Sequence, residues 1–177
     1  MILPIYIYGH PVLRKVARDI DPDNYSNLKE LIDNMFETMY SADGIGLAGP
    51  QVGLEERIFV VDLSPLESEE HPEFKDFKKV FINAHISERG GELESTEEGC
   101  LSIPGRRGCV KRPEKVTVTY QDIKGRHQEI QADGILARAL QHEIDHLNGV
   151  LYVDLMEYEV FEEDDEEEDE ETAEAGA

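Results

Sequence analysis

The 177-residue sequence predicts an α+β domain in which antiparallel or mixed sheets pack around a C-terminal HExxH helix, with an N-terminal amphipathic helix ahead of them. Strand-like segments fall mostly in one run, a helical pattern flanks that run on each side, and the second pattern carries two histidines one turn apart. With 40% hydrophobic residues the chain can bury one core. A single domain is expected over residues 1–156, followed by an acidic tail over 157–177.

The first helix is read from Leu28, Leu31, Ile32, Met35, Phe36 and Met39, which recur at helical spacing after a candidate N-cap at Ser26 and stop at Ser-Ala-Asp-Gly, 41–44. Residues 57–63 and 80–86 are rich in β-branched and aromatic side chains and read as strands, separated by an acidic loop containing Pro65 and Pro72. Val116, Val118 and Tyr120 alternate with polar residues, and Ile123-Lys-Gly-Arg126 offers a hairpin turn into a strand around 129–131. The last helix begins after a candidate N-cap at Asp133. Ile135, Leu136, Ala139, Leu140, Ile144 and Leu147 mark its apolar stripe, and Asn148-Gly149 its stop.

Charge is unevenly distributed. The net charge is -23, but residues 157–177 hold thirteen acids and no Lys or Arg, leaving 27 acids against 17 bases, or -10, for residues 1–156. The ten consecutive acids at 162–171 repel one another and cannot bury apolar surface, so that run is expected to be a disordered, solvated tail. An acidic body without a basic stripe opposes docking on a phosphate backbone, so no direct nucleic-acid binding is expected. The first residues show no basic n-region or cleavage site, and no apolar run approaches the ~18 residues needed to span a bilayer. A soluble, cytoplasmic protein without membrane association is expected, in which a disulfide is a poor reading of Cys100 and Cys109 and at least one of them is a candidate ligand.

Gln-His-Glu-Ile-Asp-His at 141–146 is the most informative string. On a helix His142 and His146 have Cβ atoms roughly 5–6 Å apart, so both rings can bind one cation while Glu143 reaches its water. That arrangement suits metal-assisted hydrolysis, against the alternative of an amphipathic helix with ordinary polar histidines. Two histidines leave a tetrahedral site short of a protein ligand. The candidates are Cys100, Cys109 and the remaining His and acidic residues; Cys100 is the strongest, because Glu-Glu-Gly-Cys-Leu-Ser at 97–102 reads as a glycine-containing loop that brings backbone close to a metal or substrate. Cys109 reads as a small, partly buried hydrophobe, and His10, His71, His85 and His127 as isolated surface or satisfied histidines. Gly-Ile-Gly-Leu-Ala-Gly-Pro-Gln at 44–51 lacks the Lys-Ser/Thr step and preceding strand of a nucleotide loop. Its glycines can be turn punctuation, or can let backbone pair with an extended peptide while Gln51 offers an amide donor to an oxyanion.

GIGLAGPQ at 44–51, EGCLS at 98–102 and QHEIDH at 141–146 together resemble, in order and spacing, the three signature motifs of the peptide deformylase family. The similarity runs from Gly9-His-Pro-Val-Leu-Arg14 to about Asp154, and the short length looks like the type I bacterial form. The resemblance implies a metal held by Cys100, His142 and His146, with Glu143 as general base and then acid, and Gln51 with the backbone N–H of Leu101 at the oxyanion. It implies removal of the formyl group from the formylmethionine of nascent polypeptides. It also implies Ile45, Gly46 and Gly99 along the peptide groove, and an ion pair of Glu98 with Arg112 in support. One thiolate and two imidazoles by themselves suggest zinc, whereas the resemblance implies Fe2+, with Zn2+ or Ni2+ as replacements.

Two departures stand out. Gly49 takes the place of a usual alanine, which would loosen that loop, and Arg138 stands where some relatives carry an aliphatic residue near the methionine pocket, which puts the shape of that pocket in question. The competing enzyme is another small HExxH zinc hydrolase or peptidase; the competing non-enzyme is an acidic adaptor with a closed, structural four-ligand metal site. Where relatives carry a basic C-terminal segment, 162–171 reverses the charge, so association with the ribosome is not expected through this tail.

Overall fold

A computed structural model of the chain describes residues 1–161; the ten-acid run at 162–171 lies outside the described residues. In chain order the elements are α1 (Leu28–Ser41), β1 (Gly46–Ala48), β2 (Ile58–Asp62), β3 (Lys78–Cys100), β4 (Ile103–Gln121), β5 (His127–Asp133), α2 (Gly134–Leu147), the single turn α3 (Tyr152–Leu155) and β6 (Met156–Val160). The strands form one sheet in the order β1-β2-β3-β4-β5, with β6 also paired to β4. Every pairing between these strands is antiparallel, and the one parallel contact among the described residues is an isolated bridge from Arg18 to Glu56.

The centre of the sheet is buried on both faces, which explains why residues 58–62 are apolar without alternation. Side chains on successive strand residues point to opposite sides. Ile58, Val60 and Ile82 therefore pack with Leu28, Ile32, Met35, Phe36 and Met39 of α1 on one face. Phe59, Val61 and Phe81 pack with Ala137, Leu140, Ile144 and Leu147 of α2 on the other. The cap of α1 lies one residue later than the candidate at Ser26. It is Asn27, held at φ 58° without a side-chain cap bond, a left-handed conformation that asparagine tolerates better than most residues.

The strands expected at 80–86 and around 116–120 are the proximal ends of a much longer hairpin. β3 and β4 pair from Ile82 opposite Gln121 to Cys100 opposite Ile103, with register shifts that bend the arm. β5 pairs with the 115–121 end of β4 and β6 with its 107–110 end, so one strand carries two neighbours along its length. Arg57, buried at the entry to β2, fastens the end of α2. Its Nη1 donates to the Leu147 carbonyl (3.4 Å) and to Asn148 Oδ1 (2.9 Å), and its Nη2 to the Ala84 carbonyl (2.7 Å).

Met156–Val160 forms β6 against β4, where Glu159 Oε1 accepts from Arg106 Nε (2.6 Å) and Glu157 Oε1 from Ser95 Oγ (2.5 Å). Two acids grouped with the tail thus belong to the sheet. Among the described residues no helix is long and apolar enough to cross a membrane. A chain ending after Phe161 should melt within about a degree of the full chain. Ending after Leu155 deletes β6 and should lower the midpoint by several degrees, since ~1 kcal/mol shifts a domain of this size by roughly 2–4 °C. Equal melting of the two truncations by circular dichroism would show that β6 contributes nothing.

Candidate metal centre

The site is assembled from three elements that the sheet and helix packing bring to one place. Cys100 is the last residue of β3 rather than part of a loop, and Leu101 and Ser102 make the tight turn into β4. His142 and His146 lie on α2 on the side away from Ala137, Leu140, Ile144 and Leu147, and Glu143, buried, stands at the border of the two sides. Gln51 sits in a 3-10 turn, Gly49–Val52, that follows β1.

One ligand atom from each of Cys100, His142 and His146 can be chosen so that all lie within 4.8 Å of one another. Cys100 Sγ stands 3.3 Å from His146 Nε2, and the two imidazoles meet edge to face with centroids 5.0 Å apart. His142 Nδ1 lies 2.9 Å from Glu98 Oε1, which leaves its Nε2 for the cluster. Cys109 is buried elsewhere, facing Tyr158 across the β4–β6 pairing, and His10, His71, His85 and His127 take no part. The donor set fits a divalent metal: a thiolate and two imidazoles converge, and Glu143 Oε2 beside them is buried with no hydrogen-bond partner.

Burial drives the titrating groups apart. Glu143 is pushed up to about 7, chiefly because its carboxylate is desolvated. Desolvation also opposes the Glu98 carboxylate, but hydrogen bonds from His142 and Arg112 outweigh it and hold that group at about 2. His142 suffers desolvation too, yet the Cys100 sulfur and Glu98 raise its proton affinity to about 10. His146, desolvated beside His142 and with its Nδ1 buried and unpartnered, is held neutral, well below an ordinary imidazole.

Around the cluster, Gln51 is fixed at both ends of its amide. Its Oε1 accepts from the Ala48 N–H (2.9 Å), while Nε2 faces Ser102 Oγ (3.1 Å) and Cys100 Sγ (3.4 Å). Ser102, fully buried, escaped the sequence reading although it stands two residues from Cys100. Tyr152, stacked 6.3 Å from His142 with its hydroxyl buried and unpartnered, escaped it as well. Arg112 grips Glu98 with Nε to Oε2 (2.6 Å) and Nη2 to Oε1 (3.0 Å), and reaches Asp145 Oδ2 with Nη1 (2.8 Å). A groove of about 810 Å³ passes the cluster, lined by Ile45, Gly46, Gly99 and Leu101 among others.

Two glycines are explained by what stands where a side chain would be. A Cβ on Gly46 would lie 2.6 Å from Glu143 Oε1, so the missing side chain makes room for that carboxylate. A Cβ on Gly49 would lie 2.8 Å from the Glu56 carbonyl oxygen, so Gly49 marks a close backbone approach in a buried turn rather than a loosened loop.

The fold and the cluster together define a metallohydrolase with a peptide-sized groove. The chain belongs to the polypeptide deformylase family, whose model matches residues 2–161. It is 52% identical over 160 residues to a peptide deformylase of Flavobacterium johnsoniae, covering 87% of this chain and 81% of that protein. Among solved structures, it is similar to a peptide deformylase from Synechococcus elongatus in complex with actinonin (46% identity, TM-score 0.80, 88% of this chain and 80% of that one). A class I type b peptide deformylase from Acinetobacter baumannii is similar at 35% identity, TM-score 0.80, over 88% of this chain and 99% of that one. The chain is thus a hydrolase that removes the formyl group from the N-terminal methionine of nascent peptides.

Because Gly46 and Glu143 compete for one space, Gly46→Ala should displace the carboxylate without touching Cys100, His142 or His146. The expected result is a fall of at least tenfold in kcat/KM on a formyl-Met peptide, ~1.4 kcal/mol of transition-state stabilisation, with metal content unchanged. Full activity in this variant would show that Glu143 has room elsewhere.

Proposed function

We propose that Cys100, His142 and His146 hold one divalent metal ion, Fe2+ in the cell with Zn2+ or Ni2+ as replacements, and that Glu143 is the base and acid of deformylation. The observation that carries this reading is the convergence of the three ligand atoms beside a buried carboxylate oxygen that has no partner. Bound there, the cation supplies Lewis acidity that polarises the formyl carbonyl and acidifies a water molecule.

Glu143 takes the proton of the attacking water, for which a carboxylate pushed up to about 7 by burial is well matched to neutral pH. As oxygen adds to the formyl carbon, Gln51 Nε2 and the backbone N–H of Leu101 donate to the developing oxyanion. The Ala48 N–H pins Gln51 Oε1 and so keeps the donor end of that amide toward Cys100. Protonated Glu143 then delivers its proton to the amide nitrogen while the C–N bond breaks, leaving formate and a free α-amine. Glu98 holds the His142 ring through Nδ1, and Arg112 holds Glu98. Ile45, Gly46 and Gly99 form walls of the peptide groove, so formyl-Met peptides are preferred to formyl-Asp peptides, whose carboxylate would be buried unpaired.

The substrate is made where translation occurs, which supports a cytoplasmic setting. The acidic body and the run at 162–171 support a protein that binds neither nucleic acid nor membrane directly and does not reach the ribosome through its C-terminus.

Cys100→Ala and His146→Ala should abolish stoichiometric metal binding. Glu143→Ala should keep the metal and lose a factor of about 10²–10⁴ in kcat. Metal retained by Cys100→Ala but lost from Cys109→Ala would overturn the ligand set, and a fully active Glu143→Ala would remove the base. Because His142 must give up the proton that Glu98 and Cys100 favour there before it can ligate, apparent metal affinity should rise with pH, with a slope of about one decade per pH unit or more. Chelator competition between pH 6 and 8 that finds no pH dependence contradicts this.

A further inference from the structure

We propose that Arg138 is a positioning residue for the metal centre, acting through Glu98 on His142; this rests on reading His142 as a ligand. Arg138 lies one turn ahead of His142 on α2. Its Nη1 donates to Glu98 Oε2 at 2.6 Å and to the Val110 carbonyl on β4 at 2.9 Å, and its Nη2 donates to the Glu94 carbonyl on β3 at 2.7 Å. The guanidinium therefore joins the helical turn that precedes His142 to both strands of the long hairpin.

The Glu98 carboxylate is divided between its partners. Oε1 accepts from Arg112 Nη2 and faces His142 Nδ1, while Oε2 accepts from Arg112 Nε and Arg138 Nη1. With Arg138 gone, Oε2 keeps one donor, Glu98 is free to turn on Arg112, and the bond that orients the His142 ring loses its anchor. The direction of the side chain also accounts for an arginine beside an apolar pocket. Its head is held by Glu98 and the two carbonyls while the residue lines the groove beside Ile135 and Ala139. An aliphatic residue at 138 would supply the wall and not the anchor.

The test uses the full-length, Zn2+-loaded protein and three variants, Arg138→Leu, Arg138→Lys and His142→Ala, with affinity measured by chelator competition and the His142 Nδ1–H followed by NMR. Arg138→Leu is expected to fold and to bind Zn2+ 10- to 100-fold more weakly. The Nδ1–H signal should broaden, and kcat for a formyl-Met peptide should fall while KM moves less than twofold. Arg138→Lys, which keeps a charge on Glu98 without the planar fork, should fall between this variant and the original protein. An Arg138→Leu protein that binds Zn2+ within twofold of the original, whatever its melting temperature, makes Arg138 a brace only and overturns the proposal. Where Arg138→Leu does not fold, Arg138→Lys decides: a loss of threefold or more supports the proposal, and a smaller one overturns it. Zn2+ affinity unchanged in His142→Ala would refute the ligand reading itself, whereas loss there with none in the Arg138 variants refutes only this inference.

Discussion

The buried carboxylate of Glu98 is the constraint on which the site depends. Residues 87–97 of β3 expose almost every side chain, so hydrophobic burial does little to hold this arm against α2. Polar contacts do it instead. Glu98 is 6% exposed and Arg112 4%, and burying such charges costs several kcal/mol each unless they are closely paired. Here the carboxylate meets two guanidiniums and an imidazole, drawn from β4 and α2. Buried ion pairs add little net stability compared with an apolar core, but they penalise every arrangement that leaves one partner alone. Such a network therefore acts on geometry: it sets the end of β3, and with it Cys100, against the helix that carries the histidines.

The same network separates the protonation behaviour of neighbouring groups. Arg112 and Arg138 compensate Glu98 and Asp145, so no direct hydrogen bond from a cation is left for Glu143, which stays buried with one oxygen unpartnered and gains proton affinity. Two histidines one turn apart diverge for a related reason. Glu98 faces His142 through Nδ1, whereas His146 has no such acceptor at its Nδ1, so burial, reinforced by the charges of His142 and Arg112, keeps it neutral. Groups pushed in opposite directions within a few ångströms are what acid–base chemistry at neutral pH requires.

Much of this was legible in the sequence where a short periodicity or a rigid spacing carried it. The α1 stripe and Leu136, Leu140, Ile144 and Leu147 of α2 are core contacts, whereas Ile135 is exposed and Ala139 lines the groove; the apolar run of β2 is a strand buried on both faces, and the one-turn spacing of His142 and His146 survives folding unchanged. What was not legible lacked a local signature. The distal half of β3 is solvent-facing and rich in Glu, and that of β4 sets four exposed residues, 104–107, beside the buried 108–110, so neither shows alternation, and Cys100 closes a strand where its glycine-containing segment suggests a loop. Met156–Val160 was hidden by the acids that follow it, although Glu157 and Glu159 face Ser95 and Arg106 across the sheet. Ser102 and the partners of Arg138 depend on contacts across 28 to 51 residues of sequence, which no window reports.

The α2 helix shows why such distant contacts suffice. One side of it fills the core through Ala137, Leu140, Ile144 and Leu147, the other carries Arg138, His142 and His146, and Glu143 stands at the border between them. Rotation of the helix by a fraction of a turn would pull the first set out of the core and carry the second away from Cys100 and Glu98, so the packing that stabilises the domain also aims the site residues. Sliding along its axis is opposed at both ends. Arg138 ties the early turns to the Glu94 and Val110 carbonyls, and Arg57 ties the Leu147 carbonyl and Asn148 to the sheet beyond Ala84. Rotation is thus fixed by apolar area and translation by two guanidiniums that bind backbone carbonyls. A centre that must hold a sulfur, two ring nitrogens and a carboxylate within a few ångströms needs both restraints, because a helix shifted by one residue rise of about 1.5 Å would already separate ligand atoms now within 4.8 Å of one another.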